Sequence, residues 1–571
     1  MSIRLATGGR LIDRNSTVKF TFNGKSMTGA DGDTLASALL ANDRMLVGRS
    51  FKYHRPRGIV ASGAEEPNAL VNLGQGVTHE PNQRATTTEL FPNLVATSQN
   101  HWPSLEHDIG ALNGFFARYL TAGFYYKTFM QPRAFWKHVY EPFIRQSAGL
   151  GKAPDPETRD PDTYEHFHAF VDVLVVGGGV AGLQAAKAAG ASGAKVLVLE
   201  QTANWGGRAP VDGGEIDGLS PEEWVKKTVQ DLENLPNVTL RTRNMGAGVY
   251  DHGYVLGYER LTDHLANTRG PRHRLWRIRA RQVIAATGAI ERPISFAGND
   301  VPGVMLASAA RDYLINFGIA VGRKTVVVTN NDDAYRTAIA LKKAGQDVPV
   351  VIDAREFGGG ALMQEAKALG IRVETGRAIA KVKGGKRVTG VALCAMAGGG
   401  AMVEEIACDA VAMSGGWSPV VHLWSHCGGK LIWDDAQAFF RPDPAKAPTG
   451  ADGHGFVVCA GAADGHMSLK SVLQDADIKG KDVSVSLGGD RPETAPPTVP
   501  DSEEVPLMPV WLMPANAWDD LRMKAWLDFQ NDVKVSDVQL AAREGYESVE
   551  HTKRYTTLGM ATDQGKLSNI N

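Results

Sequence analysis

One glycine-rich segment near residue 177 constrains the fold of this chain more than any other feature. An apolar run over 171–176 ends in Gly177, Gly179 and Gly182, which have the spacing G-x-G-x-x-G. An alanine-rich stretch follows, and a second apolar run over 196–199 ends at Glu200. This order predicts a β-α-β unit that binds a dinucleotide; the alternative is the same unit as a structural element without a ligand.

Each of these positions has a physical role in dinucleotide binding. Gly177 permits the tight turn, Gly179 lets the backbone approach a pyrophosphate, and Gly182 lets the helix pack on the strand. The N-terminus of that helix faces the phosphate charge. Glu200 follows Gly182 at a distance where its carboxylate can bind the ribose hydroxyls.

Length, charge and cysteine content limit the classes of function. The chain has 571 residues, so we expect about three to five domains. A formal net charge of -2 indicates neither nucleic acid nor an anionic membrane as a partner. The cysteines at 394, 408, 427 and 459 form no C-x-x-C pair, which favours a reducing cytoplasm without a metal site. No segment is typical of a signal peptide or a membrane span.

Changes of pattern predict five segments of an α/β chain. We expect two nested Rossmann-like dinucleotide domains of the FAD/NAD(P)-reductase type, a ferredoxin-like α+β module before them and a small helical module after them. The strands near 408–416 and 455–465 are expected to return to the first dinucleotide domain. The segments are 1–100 for the ferredoxin-like module, 101–168 for an aromatic-rich helical connector, 169–290 with 409–490 for the first dinucleotide domain, 291–408 for the inserted domain, and 491–571 for a proline-rich bridge and the helical module.

The returning strand bears on which dinucleotide binds. In reductases of this layout it ends in Gly-Asp, and the aspartate holds the ribityl chain of the flavin. Here it ends in Gly461-Ala462, and alanine cannot accept a hydrogen bond from a hydroxyl. Asp464 is the candidate substitute. We therefore favour NAD in this pocket and keep FAD as the alternative.

The second β-α-β unit, which begins near 322, has a poorer nucleotide motif. Asp332 and Asp333 stand where small residues are expected, and two carboxylates at a helix N-terminus would repel a pyrophosphate. We interpret this unit as a fold retained without its ligand.

Three segments, at 50–58, 329–335 and 555–565, resemble the alpha subunit of heterotetrameric bacterial sarcosine oxidase, and the resemblance covers essentially the whole chain. Subunits of hydrogen cyanide synthase and opine dehydrogenase are related. In those relatives the terminal modules resemble a [2Fe-2S] ferredoxin and a cysteine-rich iron-sulfur domain. Here 58–65, 528–531 and 560–564 contain no cysteine, so neither module can hold a cluster.

The resemblance implies a division of labour between subunits. This chain would bind NAD non-covalently, while a flavin-carrying beta subunit would hold FAD and covalent FMN and oxidise sarcosine; further small subunits complete the oligomer. In the family a tetrahydrofolate-binding, aminomethyltransferase-like domain follows, and this sequence stops where that domain would begin. A self-contained FAD/NAD(P)H-dependent reductase, a subunit of a related opine or amino-acid dehydrogenase complex, and a non-catalytic assembly subunit remain alternatives.

The resemblance also implies NAD contacts by motif, while no catalytic residue is assigned. They comprise Gly177, Gly179, Ala181 and Gly182 at the pyrophosphate, Glu200, Gln201 and Thr202 at the adenosine ribose, Arg208 at a phosphate, Ala247 at adenine, and Gly461, Ala462, Gly465 and Met467 at the far half.

Three further features have a structural and a functional interpretation. The basic loop with Arg49, Lys52, Arg55 and Arg57 is either a solvated loop or a positive lip for the FMN phosphate or an acidic partner. The aromatic run 115–136 predicts core packing, with a subunit interface as the alternative. His166 and His168 lack a third ligand and are interpreted as structural residues.

Overall fold

The structure is a computed structural model of the chain. It describes residues 3–124, 131–142, 144, 157, 159–266, 269–502 and 504–571. The chain divides into two compact units. The first unit comprises 1–161, 291–416 and 504–571, and the second, here called the nucleotide unit, comprises 162–290 and 417–503.

The N-terminal module is a five-stranded sheet with one helix against it. Asn23 and Gly24 have φ angles of 49° and 74°, as a two-residue hairpin turn requires. The Thr34 side chain accepts a 3.1 Å hydrogen bond from the Ser37 N–H and so begins the helix Leu35–Ala41. Both features follow from the local sequence and fit the predicted α+β module. The strands in sheet order are Lys25–Asp31, Asp13–Phe22, Leu94–Thr97, Leu70–Leu73 and Glu80–Arg84.

The nucleotide unit is built on a seven-stranded sheet. Its central strands are apolar over 173–176 and 196–199 because both of their faces are buried there, as is usual for parallel strands. The first strand begins at Tyr164, so the predicted start of this domain at 169 is wrong. The strands in order are Val238–Arg241, Val196–Leu199, Tyr164–Val176, His273–Ala285, Tyr254–Arg260 and Asn244–Tyr250, with Val457–Cys459 also paired to His273–Ala285.

Close packing of two helices supports the first β-α-β unit. Gly480 lies in the helix Leu469–Ser486 and Ala185 in the helix Val180–Gly190. A Cβ atom on Gly480 would lie 2.6 Å from the Ala185 carbonyl oxygen, so the backbones of these two helices are in close contact. The helices of this unit are Val180–Gly190, Ala209–Asp212, Pro221–Glu233, His422–His426 and Leu469–Ser486, with 3-10 turns at Asp251–Gly253, Pro444–Lys446 and Gly461–Asp464.

The inserted domain has its own parallel sheet within the first unit. Its order is Val304–Leu306, Ala410–Ser414, Thr325–Thr329, Val350–Asp353 and Arg372–Thr375. The strand Ala410–Ser414 pairs with its two neighbours in this sheet. The expectation that 408–416 returns to the first dinucleotide domain is therefore wrong, because an apolar strand buried on both faces fits either parallel sheet and only the pairing decides.

The remaining helices, turns and strands of the chain have the following bounds. The small helical module predicted within 491–571 contains the helices Val535–Arg543 and Val549–Thr556. The further helices are Ala307–Phe317, Asp333–Lys343, Ala361–Ala368 and Asp519–Arg522, with 3-10 turns at Gly76–Thr78 and Ile109–Tyr119 and a π-helical turn at Trp136–Tyr140. The remaining strands of the chain are Ile3–Arg4, Gly48–Arg49, Pro56–Arg57, Ala289–Glu291, Ile319–Ala320, Arg377–Gly384, Val388–Ala395, Glu404–Ala407, Trp417–Pro419, Leu431–Asp434, Phe439–Pro442, Trp526–Asp528 and Val533–Lys534.

The aromatic connector does not form core in the way the sequence predicts. Phe115 is 82% exposed, and Phe116, Phe135 and Trp136 are also exposed. Core packing is thus wrong for these four residues. Phe115 and Phe116 lie exposed in the 3-10 turn Ile109–Tyr119, and Phe135 and Trp136 lie exposed at the start of the π-helical turn. Tyr125, Tyr126 and Phe129 lie outside the described residues. Among the helices that the structure describes, none combines the length and apolar composition needed to cross a bilayer.

Candidate dinucleotide-binding site

The glycines of the 177–182 loop permit two close backbone approaches and leave one open space. Gly177 has a φ of 110°, and a Cβ atom on it would lie 2.2 Å from the Ala286 carbonyl oxygen. A Cβ atom on Gly182 would lie 1.8 Å from the Gly177 carbonyl oxygen. Gly179 differs, because the nearest atom to its Cβ position is the Gly207 Cα at 3.9 Å. The space beside Gly179 is therefore open to a ligand, as a pyrophosphate cradle requires.

A second glycine turn supports this loop from one side. The Gly206 N–H donates a 2.8 Å hydrogen bond to the Gly178 carbonyl. Gly206 and Gly207 both have positive φ angles, of 101° and 56°, so a turn of two glycines is needed here. Trp205 packs so tightly on Gly178 that a Cβ atom there would lie 2.4 Å from the indole ring. The sequence does not reveal this contact of Trp205. The Gly206-Gly207 pair is the one local sign that a tight turn lies here.

Glu200 is a buried carboxylate at the end of the second strand, where the sequence predicts the ribose acceptor. Its Oε2 accepts the Gly178 N–H at 2.8 Å, and its Oε1 accepts the N–H and the hydroxyl of Thr202 at 2.7 and 2.8 Å. Burial raises the pKa of this carboxyl, and the hydrogen bonds from Thr202 and Gly178 oppose the rise. A carboxylate has about four lone-pair sites, so acceptor capacity remains for ribose hydroxyls.

The segment after Glu200 is held against the neighbouring strand. The Asn244 N–H donates to the Glu200 carbonyl, and the Arg243 N–H donates to the Thr202 carbonyl, both at 2.8 Å. The exposed Gln201 carbonyl accepts from the Arg260 guanidinium at 3.0 Å. Ala247 lies on the same strand as Asn244, at a bulge between residues 246 and 248, and it is exposed. The backbone predicted to contact adenine thus lies on the strand that joins the predicted ribose segment.

Arg208 follows the second glycine turn directly. Its guanidinium pairs with Asp212 at 2.8 Å and lies 5.0 Å from the centre of the Trp417 ring. It is partly exposed, so the side chain keeps access to solvent. Whether it contacts a phosphate remains a prediction.

The far half of the site follows the returning strand Val457–Cys459. Gly461 has a φ of 65°, and a Cβ atom on it would lie 2.7 Å from the Ala181 Cβ. This contact brings the returning backbone to the first turn of the helix Val180–Gly190. Ala462, Gly465 and Met467 lie in the connection that leads to the next helix, where all three are half-buried.

The polar groups of that connection are largely engaged with one another. Asp475 Oδ2 accepts the Gly461 N–H at 2.7 Å, a contact that the sequence analysis missed. Asp464 pairs with Lys479 at 2.9 Å, and His466 lies 3.5 Å from Asp475. Asp464, His466 and Asp475 are close enough to share a cation, but Lys479 already supplies the positive charge there.

The second nucleotide-type loop pairs its two aspartates internally. Asp332 pairs with Arg355 at 2.7 Å and accepts the Val505 N–H at 2.8 Å. Asp333 pairs with Arg311 at 3.0 Å. The segment at 505–508 also exchanges backbone and side-chain hydrogen bonds with Asn330. The negative charge that a helix N-terminus attracts is thus supplied by the chain itself.

The loop of the N-terminal module converges on one buried carboxylate. Glu66 is 0% exposed. It accepts four backbone N–H groups at 2.6 to 2.9 Å, from Val60, Ala61, Asn68 and Ala69. Burial raises the pKa of Glu66 to about 7, although the four hydrogen bonds oppose the rise.

The C-terminal module uses a similar arrangement. Asp528 accepts the N–H groups of Gln530, Asn531 and Gly559, each at 2.8 Å. Burial, reinforced by the nearby charge of Asp563, raises the pKa of Asp528 to about 6. Both modules therefore organise these loops around carboxylates and backbone donors.

The basic loop is not the solvent-facing lip that the sequence suggests. Arg49, Arg55 and Arg57 are buried. Arg55 pairs with Asp532 at 2.5 Å and with Asp300 at 2.7 Å. The Arg49 guanidinium donates to the backbone carbonyl of Leu105. The Arg57 guanidinium donates to the backbone carbonyls of residues 529 and 530.

Lys52 is the half-buried member of this loop. Its ammonium lies 4.9 Å from the Tyr53 ring centre and 5.2 Å from that of Phe124, and burial lowers its pKa. Both earlier interpretations of the loop, as solvated or as an FMN lip, are therefore wrong for the three arginines. The three guanidinium groups are paired with or donate to groups distant in the sequence, and no local pattern reveals those partners.

Three family models match the chain. They are a 2Fe-2S iron-sulfur cluster binding domain at residues 15–101, a pyridine nucleotide-disulphide oxidoreductase at 171–436 and a sarcosine oxidase A3 domain at 522–571. The second implies a flavin or nicotinamide dinucleotide cofactor. The first does not fit a cluster here, because residues 15–101 contain no cysteine and Glu66 gathers the N–H groups of the loop.

Known proteins resemble the chain over its whole length. It is 45% identical to the sarcosine oxidase subunit alpha of Rhizobium meliloti (strain 1021), over 100% of this chain and 56% of that protein. It is 37% identical to the subunit of the same name in Corynebacterium sp. (strain P-1), over 98% and 53%. The chain thus spans about half the length of the curated relatives it matches.

A solved structure of L-proline dehydrogenase from P. horikoshii has the same fold, with a TM-score of 0.63 at 20% identity, covering 98% of this chain and 93% of that one. The predicted α/β layout, with a ferredoxin-like module before the Rossmann-like domains and a small helical module after them, is confirmed. Over its full length the chain is thus similar to sarcosine oxidase alpha subunits, at up to 45% identity among the relatives named here.

Proposed function

We propose that this oxidoreductase subunit binds NAD within a multi-subunit flavoenzyme that oxidises sarcosine. The observation that carries the proposal is the contrast between the two nucleotide-type loops. The loop at 177–182 is open beside Gly179 and has the buried acceptor Glu200. The loop at 329–333 is closed by its own ion pairs with Arg355 and Arg311. One dinucleotide per chain follows from this contrast.

The residues of the first loop fit a dinucleotide. The N–H groups near Gly179 and the N-terminus of the helix Val180–Gly190 would hold the pyrophosphate. Glu200 would accept the ribose hydroxyls, and Arg208 would neutralise a phosphate. Gln201, Thr202 and Ala247 would surround the adenosine, and residues 461–467 would border the far half.

The polar groups of the far half favour NAD over FAD. Ala462 offers no acceptor to a ribityl chain. Asp464, the candidate substitute, is engaged with Lys479 at 2.9 Å, so a ribityl hydroxyl would have to compete with an ammonium. A nicotinamide dinucleotide makes no such demand, and this difference supports NAD.

We assign the oxidation itself to a partner subunit. Removing a hydride from an N-methyl amine requires a hydride acceptor such as a flavin beside the amine, and we assign FAD and FMN to a beta subunit. The overall reaction would convert sarcosine, O2 and water into glycine, formaldehyde and H2O2. Tetrahydrofolate, if bound by a domain of the kind found in the family, would receive the one-carbon unit as 5,10-methylenetetrahydrofolate. The four free thiols support a cytoplasmic location.

The test compares this chain alone with the chain co-expressed with its partner subunits. Small molecules released from each preparation are identified by mass spectrometry, and sarcosine-dependent peroxide is measured. We expect about one NAD per chain in both preparations, flavin only in the complex, and peroxide only from the complex. FAD bound to the lone chain, or robust peroxide from it, would instead support a self-contained reductase.

A further inference from the structure

Within the part of the chain that the structure describes, one face of the sheet in the nucleotide unit is exposed. Four strands form it, at Tyr164–Val176, His273–Ala285, Tyr254–Arg260 and Asn244–Tyr250. Alternate residues of a strand share a face. The inward residues Val171, Trp276 and Ile278 belong to a buried cluster. The opposite face over 164–170 and 273–279 has no buried residue, and we call it the outer face.

The outer face is rich in aromatic side chains. Phe170 is 69% exposed and Tyr164 is 52% exposed, and Met245, Tyr250 and Tyr258 are exposed as well. The strand register places them close together, since Tyr164 lies opposite His273, Tyr258 opposite Leu275 and Phe170 opposite Arg279. A contiguous apolar and aromatic surface of this kind is typical of an interaction site.

The charge of this face has one sign. Arg277 lies opposite His168 on one side and Leu256 on the other. Over 164–170, 245–250, 254–260 and 273–279, the outward positions also carry Arg260, Arg279 and His166, and none of them is Asp or Glu. The next outward residue, Asp172, pairs with Arg281 at 3.5 Å. Within the part of the chain that the structure describes, Arg277 and Arg279 have no carboxylate partner. The acids Glu165 and Glu259 contact Arg274 on the inward side.

A positively lined cleft continues the outer face. Phe170 and Arg279 also line a cleft of about 750 Å³, together with Lys195, Arg281 and His252. Its carboxylates are Asp172 and Asp452. The cleft lies beside residues 170–172, in the middle of the strand Tyr164–Val176, whose carboxyl end leads into the 177–182 loop. Dinucleotides bind at carboxyl ends of parallel strands, so this cleft is separate from the dinucleotide site.

We propose that the outer face, with its adjoining cleft, docks another subunit of the oligomer through an acidic surface that surrounds an apolar centre. The inference rests on the proposed function insofar as that function makes the chain one subunit of several. The charge favours a different subunit over a second copy of this chain, since self-contact would bring Arg277 and Arg279 against like charges. An acidic partner would supply the carboxylates that these guanidinium groups lack.

The test uses the full complex and a double variant, Phe170→Ser with Arg277→Glu. The matched control is Phe357→Ser with Lys226→Glu, because Phe357 is 93% exposed and Lys226 is exposed, and both lie outside the outer face. Each chain is co-expressed with the partner subunits, and subunit composition is measured by native mass spectrometry. We expect the outer-face variant to bind its partner about tenfold or more weakly, while the control assembles as the wild type does.

Further measurements separate this inference from the proposed function. Unchanged NAD content and melting temperature in the outer-face variant would show that its fold is intact. Wild-type assembly by that variant, in a complex that oxidises sarcosine, would overturn only the inference. Loss of assembly by the variant, with no sarcosine oxidation by the wild-type complex, would overturn only the proposed function. The inference would also be overturned if the outer-face variant kept its partner subunits but lost contacts with a second copy of this chain or with RNA.

Discussion

The Glu200 carboxylate accepts the backbone N–H of Gly178 at 2.8 Å, so the predicted ribose acceptor also holds the pyrophosphate loop in place. The Thr202 N–H and hydroxyl occupy its other oxygen. One side chain therefore links the glycine turn, the end of the second strand and the adenosine side of the site. If Glu200 binds the ribose as proposed, this residue couples ribose binding to the geometry of the loop.

This coupling predicts that Glu200→Gln impairs both stability and NAD retention. Glutamine has one acceptor oxygen, so its amide must face the N–H of either Gly178 or Thr202. Leaving one buried N–H unsatisfied costs about 1–3 kcal/mol. We expect a lower free energy of unfolding in denaturant titrations and loss of NAD from the purified chain. A variant with normal NAD content would show that Glu200 is not the ribose acceptor.

Gly179→Val tests the open side of the loop. The valine side chain would enter the space beside Gly179 without meeting another residue closely, since the nearest atom is 3.9 Å from the Cβ position. We expect NAD to be lost because the backbone can no longer approach a pyrophosphate. Mass spectrometry of released nucleotides measures this. Gly385→Val is the control, at an exposed glycine with no heavy atom within 4 Å of its Cβ position; unchanged NAD in Gly179→Val would place the nucleotide elsewhere.

Gly182→Ala acts on the fold instead of the ligand. Its methyl group would lie 1.8 Å from the Gly177 carbonyl oxygen, so the helix must move away from the strand. Such overpacking costs about 1–3 kcal/mol or more. We expect a lower melting temperature that persists in excess NAD, measured by calorimetry. A melting temperature equal to that of the wild type would contradict the helix packing described here.

Arg55→Ala tests the interpretation of the basic loop as buried structure. Truncation leaves Asp532, which is buried, and Asp300 without their guanidinium partner. Breaking a buried pair in this way costs about 3–5 kcal/mol. Lys226→Ala, which removes an exposed pair with Glu222, should cost at most about 1 kcal/mol. Equal effects of the two substitutions in denaturant unfolding would refute the structural role of Arg55.

Glu66 makes the stability of the N-terminal module depend on pH. Burial raises the pKa of its carboxyl from 4.5 to about 7, so between these values the folded chain retains a proton that the unfolded chain has released. The free energy of unfolding therefore falls as pH rises from 4.5 toward 7 and levels off above that range. Glu66→Gln does not titrate, so the wild-type free energy of unfolding minus that of the variant should fall over the same window.

The same variant should be less stable than the wild type above that window. The glutamine amide would face two of the four backbone N–H groups that the carboxylate accepts, at about 1–3 kcal/mol for each unsatisfied group. Glu547→Gln, at an exposed position, is the control. A difference in free energy of unfolding that does not vary with pH would show that Glu66 keeps an ordinary pKa.

Local sequence patterns determined the fold class and the first nucleotide loop. The spacing of Gly177, Gly179 and Gly182 is a local property of the backbone. Contacts within one β-α-β unit and its adjacent strand require Gly177 and Gly182, while the Cβ position of Gly179 faces open space. The helix at 35–41 and the hairpin turn at Asn23 are also set by neighbouring residues. Short-range steric and hydrogen-bonding rules are sufficient for such elements.

Only the tertiary structure decided which sheet the strand Ala410–Ser414 joins and where the charges of the basic loop go. An apolar strand fits either of two parallel sheets equally well, and pairing over a long sequence separation selects one of them. Arg55 finds Asp532 across 477 residues, and Asp475 reaches the Gly461 N–H from within the following helix. Partners at such separations leave no local pattern, because burial and geometry arise only when the chain has folded.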